Sequence, residues 1–230
     1  MRSPAAYKNI FCIPVLLLLF CVAGFLSACA TDTETEPVSL KAKNPGVALV
    51  PFLKGRNPTS HIPALSCPYD EFCYEDSHLD PGADQIMTGL LQEKLLNRLE
   101  QRAFPLSLTK QIYSPLQFDH PDATPMEIAC RTGRELGVDY VLVGNVWRYE
   151  KRAGSAYSVS EPASVAFALY LVDPASEKTV WVAEFNETQQ SLSENLLKAR
   201  LFFKRGAKWI TARELARYGI EQLLAKFPVQ

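Results

Sequence analysis

The sequence lacks an excess of charge of either sign. Its 230 residues carry 24 Lys and Arg against 25 Asp and Glu, which gives a formal net charge of −1 at pH 7. A nucleic-acid-binding protein generally needs a basic surface to hold the phosphate backbone, so the charge balance gives no support for a nucleic-acid partner. Internal repeats are also missing, and the ordinary composition excludes fibrous and largely disordered proteins.

Recognisable catalytic motifs are missing as well. The chain has no Gly-x-Ser-x-Gly elbow, no phosphate-binding glycine loop and no His-Glu-x-x-His helix. Cys130 follows Ile128 and Ala129 in a predicted helix, where we expect a small buried apolar residue rather than a nucleophile. We therefore expect a protein that is not an enzyme and has no cofactor. The alternative is a periplasmic hydrolase whose site has no recognisable motif.

The first 29 residues have the layout of a secretory signal. Arg2 and Lys8 precede an apolar segment over residues 10–26, and the sequence Leu26-Ser27-Ala28-Cys29 follows its end. Those four residues resemble a bacterial lipobox. The resemblance implies cleavage before Cys29, a diacylglyceryl thioether on its sulfur and acylation of its new amine, for example with palmitate. An uncleaved transmembrane helix is the alternative, although a proline within the run disfavours it.

The sequence predicts three parts. Residues 1–28 form the signal peptide, residues 29–45 the lipidated cysteine with a flexible tether, and residues 46–230 a single domain with a loop insertion at 54–83. Without the signal peptide, 22 basic residues remain against 25 acidic ones. Ala30 follows the modified cysteine, and the lipoprotein resemblance then implies an anchor in the outer membrane that faces the periplasm.

Hydrophobic patterns in the domain predict an α/β fold, with a mixed β-sheet, packed helices and the order β-α-β-α-β-β-β-α-α. The predicted strands cover residues 46–53, 104–108, 139–147, 164–172 and 178–188, and the predicted helices cover 84–102, 124–136, 193–205 and the chain from 211 onward. Capping boxes at Thr124 and Thr211 indicate where two helices begin. Gly137 is suited to end the earlier one, and the turn-rich residues 173–177 indicate a hairpin.

The strand sequences resemble those of a known group. Residues 137–144, 167–173 and 179–181 are similar to the sheet of envelope proteins related to the TolB N-terminal domain. The group includes the curli-secretion lipoprotein and the lipoprotein activator of penicillin-binding proteins. The resemblance implies an accessory module that binds another envelope protein in envelope assembly, secretion or cell-wall synthesis. The alternatives within this class are a homo-oligomer and a ring-forming secretion-channel component.

The insertion contains most of the metal-binding and redox-active residue types. His61, Cys67, Cys73 and His78 lie there, with acidic residues between the cysteines and the second histidine. In an oxidising compartment a Cys67–Cys73 disulfide would close a small loop and restrict the unfolded chain. A zinc site made of all four residues is an alternative, although the spacing does not match compact zinc knuckles. Free thiols in a loop are the third interpretation.

Two further sets of residues are candidates for partner binding. Arg200, Lys204 and Lys208 fall on one face of a predicted helix, which is ordinarily a solvated surface but could bind lipid headgroups or an acidic protein face. Tyr149 and Tyr157 are candidate aromatic anchors for protein recognition. We expect the nearby tryptophans at 147 and 181 to pack on the sheet instead.

Overall fold

A mixed five-stranded sheet forms the centre of the structure, a computed structural model that describes residues 44–55, 79–155, 158–189 and 209–229. The strands are β1 (Val47–Leu49), β2 (Leu53–Lys54), β3 (Tyr140–Glu150), β4 (Ala153–Gly154), β5 (Val159–Glu161), β6 (Ser164–Asp173) and β7 (Lys178–Thr188). The helices are α1 (Ala83–Leu99), α2 (Leu106–Asp119), α3 (Pro125–Leu136) and α4 (Ala212–Ala225), and a 3₁₀ turn covers Glu100–Arg102. The predicted α/β class with a mixed sheet and packed helices is confirmed.

The sheet is organised around β3 and β6. Strands β1 and β2 pair one after the other along the same side of β3, both parallel to it. On its other side β3 pairs antiparallel with β6, and β6 pairs antiparallel with β7. The short strands β4 and β5 pair with each other between β3 and β6. The start of β3, the end of β6 and the β6–β7 turn therefore lie at one end of the sheet, and the opposite strand ends lie at the other.

Helices cover both faces of this sheet, because its central strands carry apolar side chains on both sides. On one face Leu142 and Phe167 pack with residues of α1 and α4. On the other face Val141 and Tyr170 pack with residues of α2 and α3. All ten residues of β6 are consequently buried.

The two predicted capping boxes are confirmed. At the start of α3 the Thr124 hydroxyl accepts a hydrogen bond from the Glu127 N–H at 3.2 Å, and the Glu127 carboxylate accepts one from the Thr124 N–H at 2.7 Å. Thr211 and Glu214 make the same reciprocal pair at the start of α4, again at 3.2 and 2.7 Å. Gly137 has φ +67° and ends α3 in the left-handed conformation, as expected.

The predicted strand over residues 104–108 is wrong, since α2 begins at Leu106. Only a bridge between Ala103 and Val47 and the bond from the Phe104 N–H to the Val47 carbonyl, at 2.9 Å, connect this stretch to β1. Pro105 has no N–H to extend that ladder. After it, the partly or fully buried side chains of α2 recur at helical spacing, at Leu106, Thr109, Ile112, Tyr113 and Leu116. The helix predicted over 84–102 ends as α1 at Leu99 and continues as the 3₁₀ turn.

Several predictions concern residues outside the described ranges. They are the signal peptide, the lipidation of Cys29, most of the tether, the Cys67–Cys73 disulfide and the helix over 193–205. Within the ranges that the structure describes, no helix is long and apolar enough to cross a membrane.

Candidate functional site

Tyr149 is the predicted site residue that falls within the described part of the chain. It is 1% exposed and packs in the sheet core, so it does not project from the surface as an anchor would. The expectation that Trp147 and Trp181 pack on the sheet is confirmed by their exposures of 1% and 9%. The other predicted site residues lie outside the described ranges: Cys29, His61, Cys67, Cys73, His78, Tyr157, Arg200, Lys204 and Lys208.

A cleft of about 690 Å³ lies where β3 ends and β6 begins. We call it the strand-end cleft. Its residues come from the approach to α1, the end of β3, the passage from β5 to β6, and the last residue of β7. They are Leu79, Asp80, Tyr149, Glu150, Lys151, Glu161, Pro162 and Thr188. Four separate stretches of the chain therefore meet at one end of the sheet.

Main-chain pairing fixes one wall of the cleft. Leu79 forms a parallel bridge with Tyr149, and the Asp80 N–H donates to the Tyr149 carbonyl at 3.0 Å. The Lys151 N–H donates to Asp80 Oδ2 at 3.2 Å, and Lys151 Nζ lies 3.4 Å from the same oxygen. The Asp80 carbonyl then accepts from the N–H of Ala83 at 3.1 Å, where α1 begins. The wall is thus tied both to the sheet and to a helix.

The lining of the cleft is predominantly acidic. Asp80, Glu150 and Glu161 contribute three carboxylates against the single ammonium group of Lys151. Leu79 and Pro162 add apolar surface, and the Thr188 hydroxyl is 2.6 Å from that of Ser164. Carboxylates accept hydrogen bonds and attract cations, so the cleft suits a positively charged or donor-rich group.

Tyr149 adds a buried phenol to this lining. No other described residue hydrogen-bonds its hydroxyl group. Burial raises the pKa of Tyr149; the Arg213 guanidinium lowers this pKa and the Asp80 carboxylate raises it. The phenol is therefore protonated at neutral pH and can donate a hydrogen bond.

A metal site or a reactive cysteine does not emerge from the described residues. They contain no group of three or more His, Cys, Asp or Glu side chains that could hold a metal ion. Cys130 is fully buried, which confirms the expected small buried residue. Burial raises the pKa of its thiol to about 11, and the Glu177 carboxylate adds to the effect. Only roughly one thiol in 10⁴ is then ionised at pH 7, so Cys130 is a poor nucleophile.

A second, smaller cavity of about 190 Å³ lies at the opposite end of the sheet. Its polar groups bond to one another. Arg134 donates to the Pro174 carbonyl at 2.9 Å and to Glu177 at 2.8 Å. Asp173 accepts from the Ala175 N–H and the Ser176 hydroxyl, at 3.0 and 2.7 Å. These bonds stabilise the β6–β7 turn, and the strand-end cleft is therefore the candidate site.

Comparison with known proteins gives a likeness of structure. No family model and no curated protein matches the chain. The chain is similar to three solved structures: the PelC dodecamer from Paraburkholderia phytofirmans (16% identity, TM-score 0.44, 84% of this chain and 91% of that one), lipoprotein GNA1162 from Neisseria meningitidis (16%, 0.40, 71% and 95%) and the LpoB C-terminal domain from Salmonella enterica (14%, 0.38, 65% and 87%). These proteins match the envelope lipoprotein group that the sequence resembles, so that recognition is confirmed. At such identities and TM-scores the likeness carries no argument about function.

Proposed function

We propose that the chain is a lipid-anchored, non-enzymatic accessory module that binds another protein of the bacterial envelope through the strand-end cleft. The observation that carries the proposal is the position of the cleft at the end of the sheet opposite to the entry of the chain. Val47, the first residue of β1, pairs with Tyr140, the first residue of β3. The cleft lies at the other end of this 11-residue strand, about 35 Å away.

The entry point itself is fixed to the sheet. The Gly46 N–H donates to Asp139 Oδ2 at 2.8 Å, and the Gly46 carbonyl accepts from the Tyr140 N–H at 3.1 Å. In our proposal the chain before Gly46 is the tether that leads to lipidated Cys29. A tether attached at one end of the sheet leaves the other end accessible to a partner.

The anchor and the cleft have complementary roles in this mechanism. Lipidation of Cys29 confines the domain to the membrane, which we propose is the outer membrane, with the domain in the periplasm. Confinement raises the effective concentration of the domain near partners in the same envelope layer, without any additional contact. The processes that such a module supports are envelope assembly, secretion or cell-wall synthesis.

Site-specific photocrosslinking in intact cells tests the proposal. A photoreactive amino acid replaces exposed Glu161 at the cleft in one variant and exposed Ala175 at the opposite end in a matched control. We expect an adduct with another envelope protein from position 161 and not from position 175. Adducts from 175 alone, or none from 161, would contradict binding at the cleft. Self-adducts of one fixed size from 161 would instead favour the ring-forming component.

A further inference from the structure

We propose that the strand-end cleft accepts an Arg or Lys side chain of the partner protein, and that the Tyr149 hydroxyl donates a hydrogen bond to the partner's main chain beside it. The inference rests on the proposed function and specifies the chemistry of the partner. It combines two independent observations, the charge of the lining and the buried phenol.

The charge of the lining favours a cation. Asp80 and Lys151 form one ion pair, but their side chains are 30% and 64% exposed, so solvent screens this pair and a second cation can approach Asp80. Glu150 and Glu161 supply two further carboxylates. A phosphate or a carboxylate ligand would meet net repulsion from this lining. A purely apolar segment would take water away from the carboxylates without replacing its hydrogen bonds.

The phenol of Tyr149 points to a ligand that also has an acceptor. A tyrosine that is 1% exposed ordinarily finds a hydrogen-bond partner for its hydroxyl. No described residue supplies one here, although Tyr149 lines the cleft. A peptide carbonyl of a bound partner would serve as the acceptor. The Arg213 guanidinium and the Asp80 carboxylate act on this phenol with opposite signs, so neither charge alone determines the nature of the ligand.

The size of the cleft agrees with such a ligand. A volume of about 690 Å³ is in the range of pockets that hold whole small molecules, so one basic side chain and its flanking peptide groups fit together. Leu79 and Pro162 provide apolar surface for the aliphatic stem of an Arg or Lys residue.

An NMR titration of the full-length chain in detergent micelles tests the inference with two capped amino acids. The probes are N-acetyl-arginine amide and N-acetyl-citrulline amide, which have nearly the same shape but differ in charge. We expect saturable shifts of the Leu79, Lys151 and Thr188 amides with the arginine probe, and about fivefold weaker binding of the citrulline probe. Added salt should weaken the binding of the arginine probe.

Variants separate the two parts of the inference. Glu161→Gln should weaken the arginine probe about two- to fivefold, whereas Glu135→Gln on exposed α3 should leave it unchanged. Tyr149→Phe keeps the ring and removes the donor, so it should weaken both probes to the same extent. Equal binding of both probes to the wild-type chain, shifts outside the cleft, or no saturable shift would overturn the inference.

The two proposals fail in distinguishable ways. A crosslinked partner at position 161 with no preference for the arginine probe would leave the proposed function standing and refute the basic side chain. Saturable arginine binding at the cleft, with no envelope adduct from position 161, would refute the proposed function instead.

Discussion

Gly144, in the middle of β3, should not tolerate even one added methyl group. A Cβ atom at this position would lie closer than 3.0 Å to three ring carbons of Phe52. The ring cannot move away easily, because Phe52 is 4% exposed and its ring packs against that of Phe167 at a centroid distance of 6.2 Å. The Phe52 N–H also donates to the Thr88 hydroxyl at 2.9 Å, which fixes the main chain. Gly144→Ala therefore overpacks a closed core.

The expected cost is about 1–3 kcal/mol of the free energy of unfolding, the usual range for overpacking. For a domain of this size that corresponds to a decrease in Tm of about 2–12 °C. Urea denaturation and thermal unfolding, both followed by circular dichroism, measure the two quantities. Gly89→Ala is the matched control, since Gly89 lies in α1 with nothing within 4 Å of the added Cβ. It should stabilise the protein by about 0.5–1 kcal/mol.

A double-mutant cycle with Phe52→Leu tests the cause. Leucine removes the ring carbons that a Cβ at position 144 would meet, so the double variant should lose at least about 1 kcal/mol less than the sum of the single losses. Strict additivity would refute the steric reasoning, and so would a Gly144→Ala variant as stable as the wild type.

Three further predictions follow from the caps, the buried thiol and the lipobox. Thr124→Ala and Thr211→Ala should each cost about 1 kcal/mol in urea denaturation, and a loss below about 0.3 kcal/mol would contradict the capping role. Burial raises the pKa of Cys130 from 9.0 to about 11, so the unfolded chain ionises first and stability should fall as pH rises through 9 to 11; Tm between pH 8 and 10.5 should fall less in Cys130→Ala, and equal slopes would argue against this source. Cys29→Ser should move the protein from the membrane fraction to the soluble fraction, whereas an unchanged distribution would refute lipid anchoring.

Local signals predicted much of the fold. The capping boxes at Thr124 and Thr211, the helix end at Gly137 and the turn after Asp173 depend on contacts between residues close in sequence, and each appears as expected. Helix α2 was missed for a local reason too. Its buried stripe includes Thr109, and Pro115 lies inside the helix, so the apolar periodicity is weak. The short apolar stretch before it resembled a strand.

The strand-end cleft could not be predicted in the same way. Lys151 and Asp80 are 71 positions apart in sequence, and Glu161 and Thr188 come from other strands. No spacing rule connects them, because the register of β3 with β6 and of β6 with β7 decides which residues meet at the sheet end. Tyr149 alone was singled out from the sequence, as an exposed aromatic, whereas it lines the cleft while almost completely buried.

The complete burial of β6 has a consequence for the chain before it folds. Residues 164–172 carry no charge and no proline, are rich in β-branched and aromatic side chains, and so combine the features of an aggregation-prone segment whenever they are exposed. The antiparallel neighbour β7 follows within a few residues, so a local hairpin can cover one edge of β6 early, whereas β3 must arrive across the longer β4–β5 connection. Lys178, Glu184 and Glu187 on β7 are charges of the kind that discourage further strand addition at its outer edge. Rapid pairing of β6 with β7 would thus protect the newly made chain from self-association.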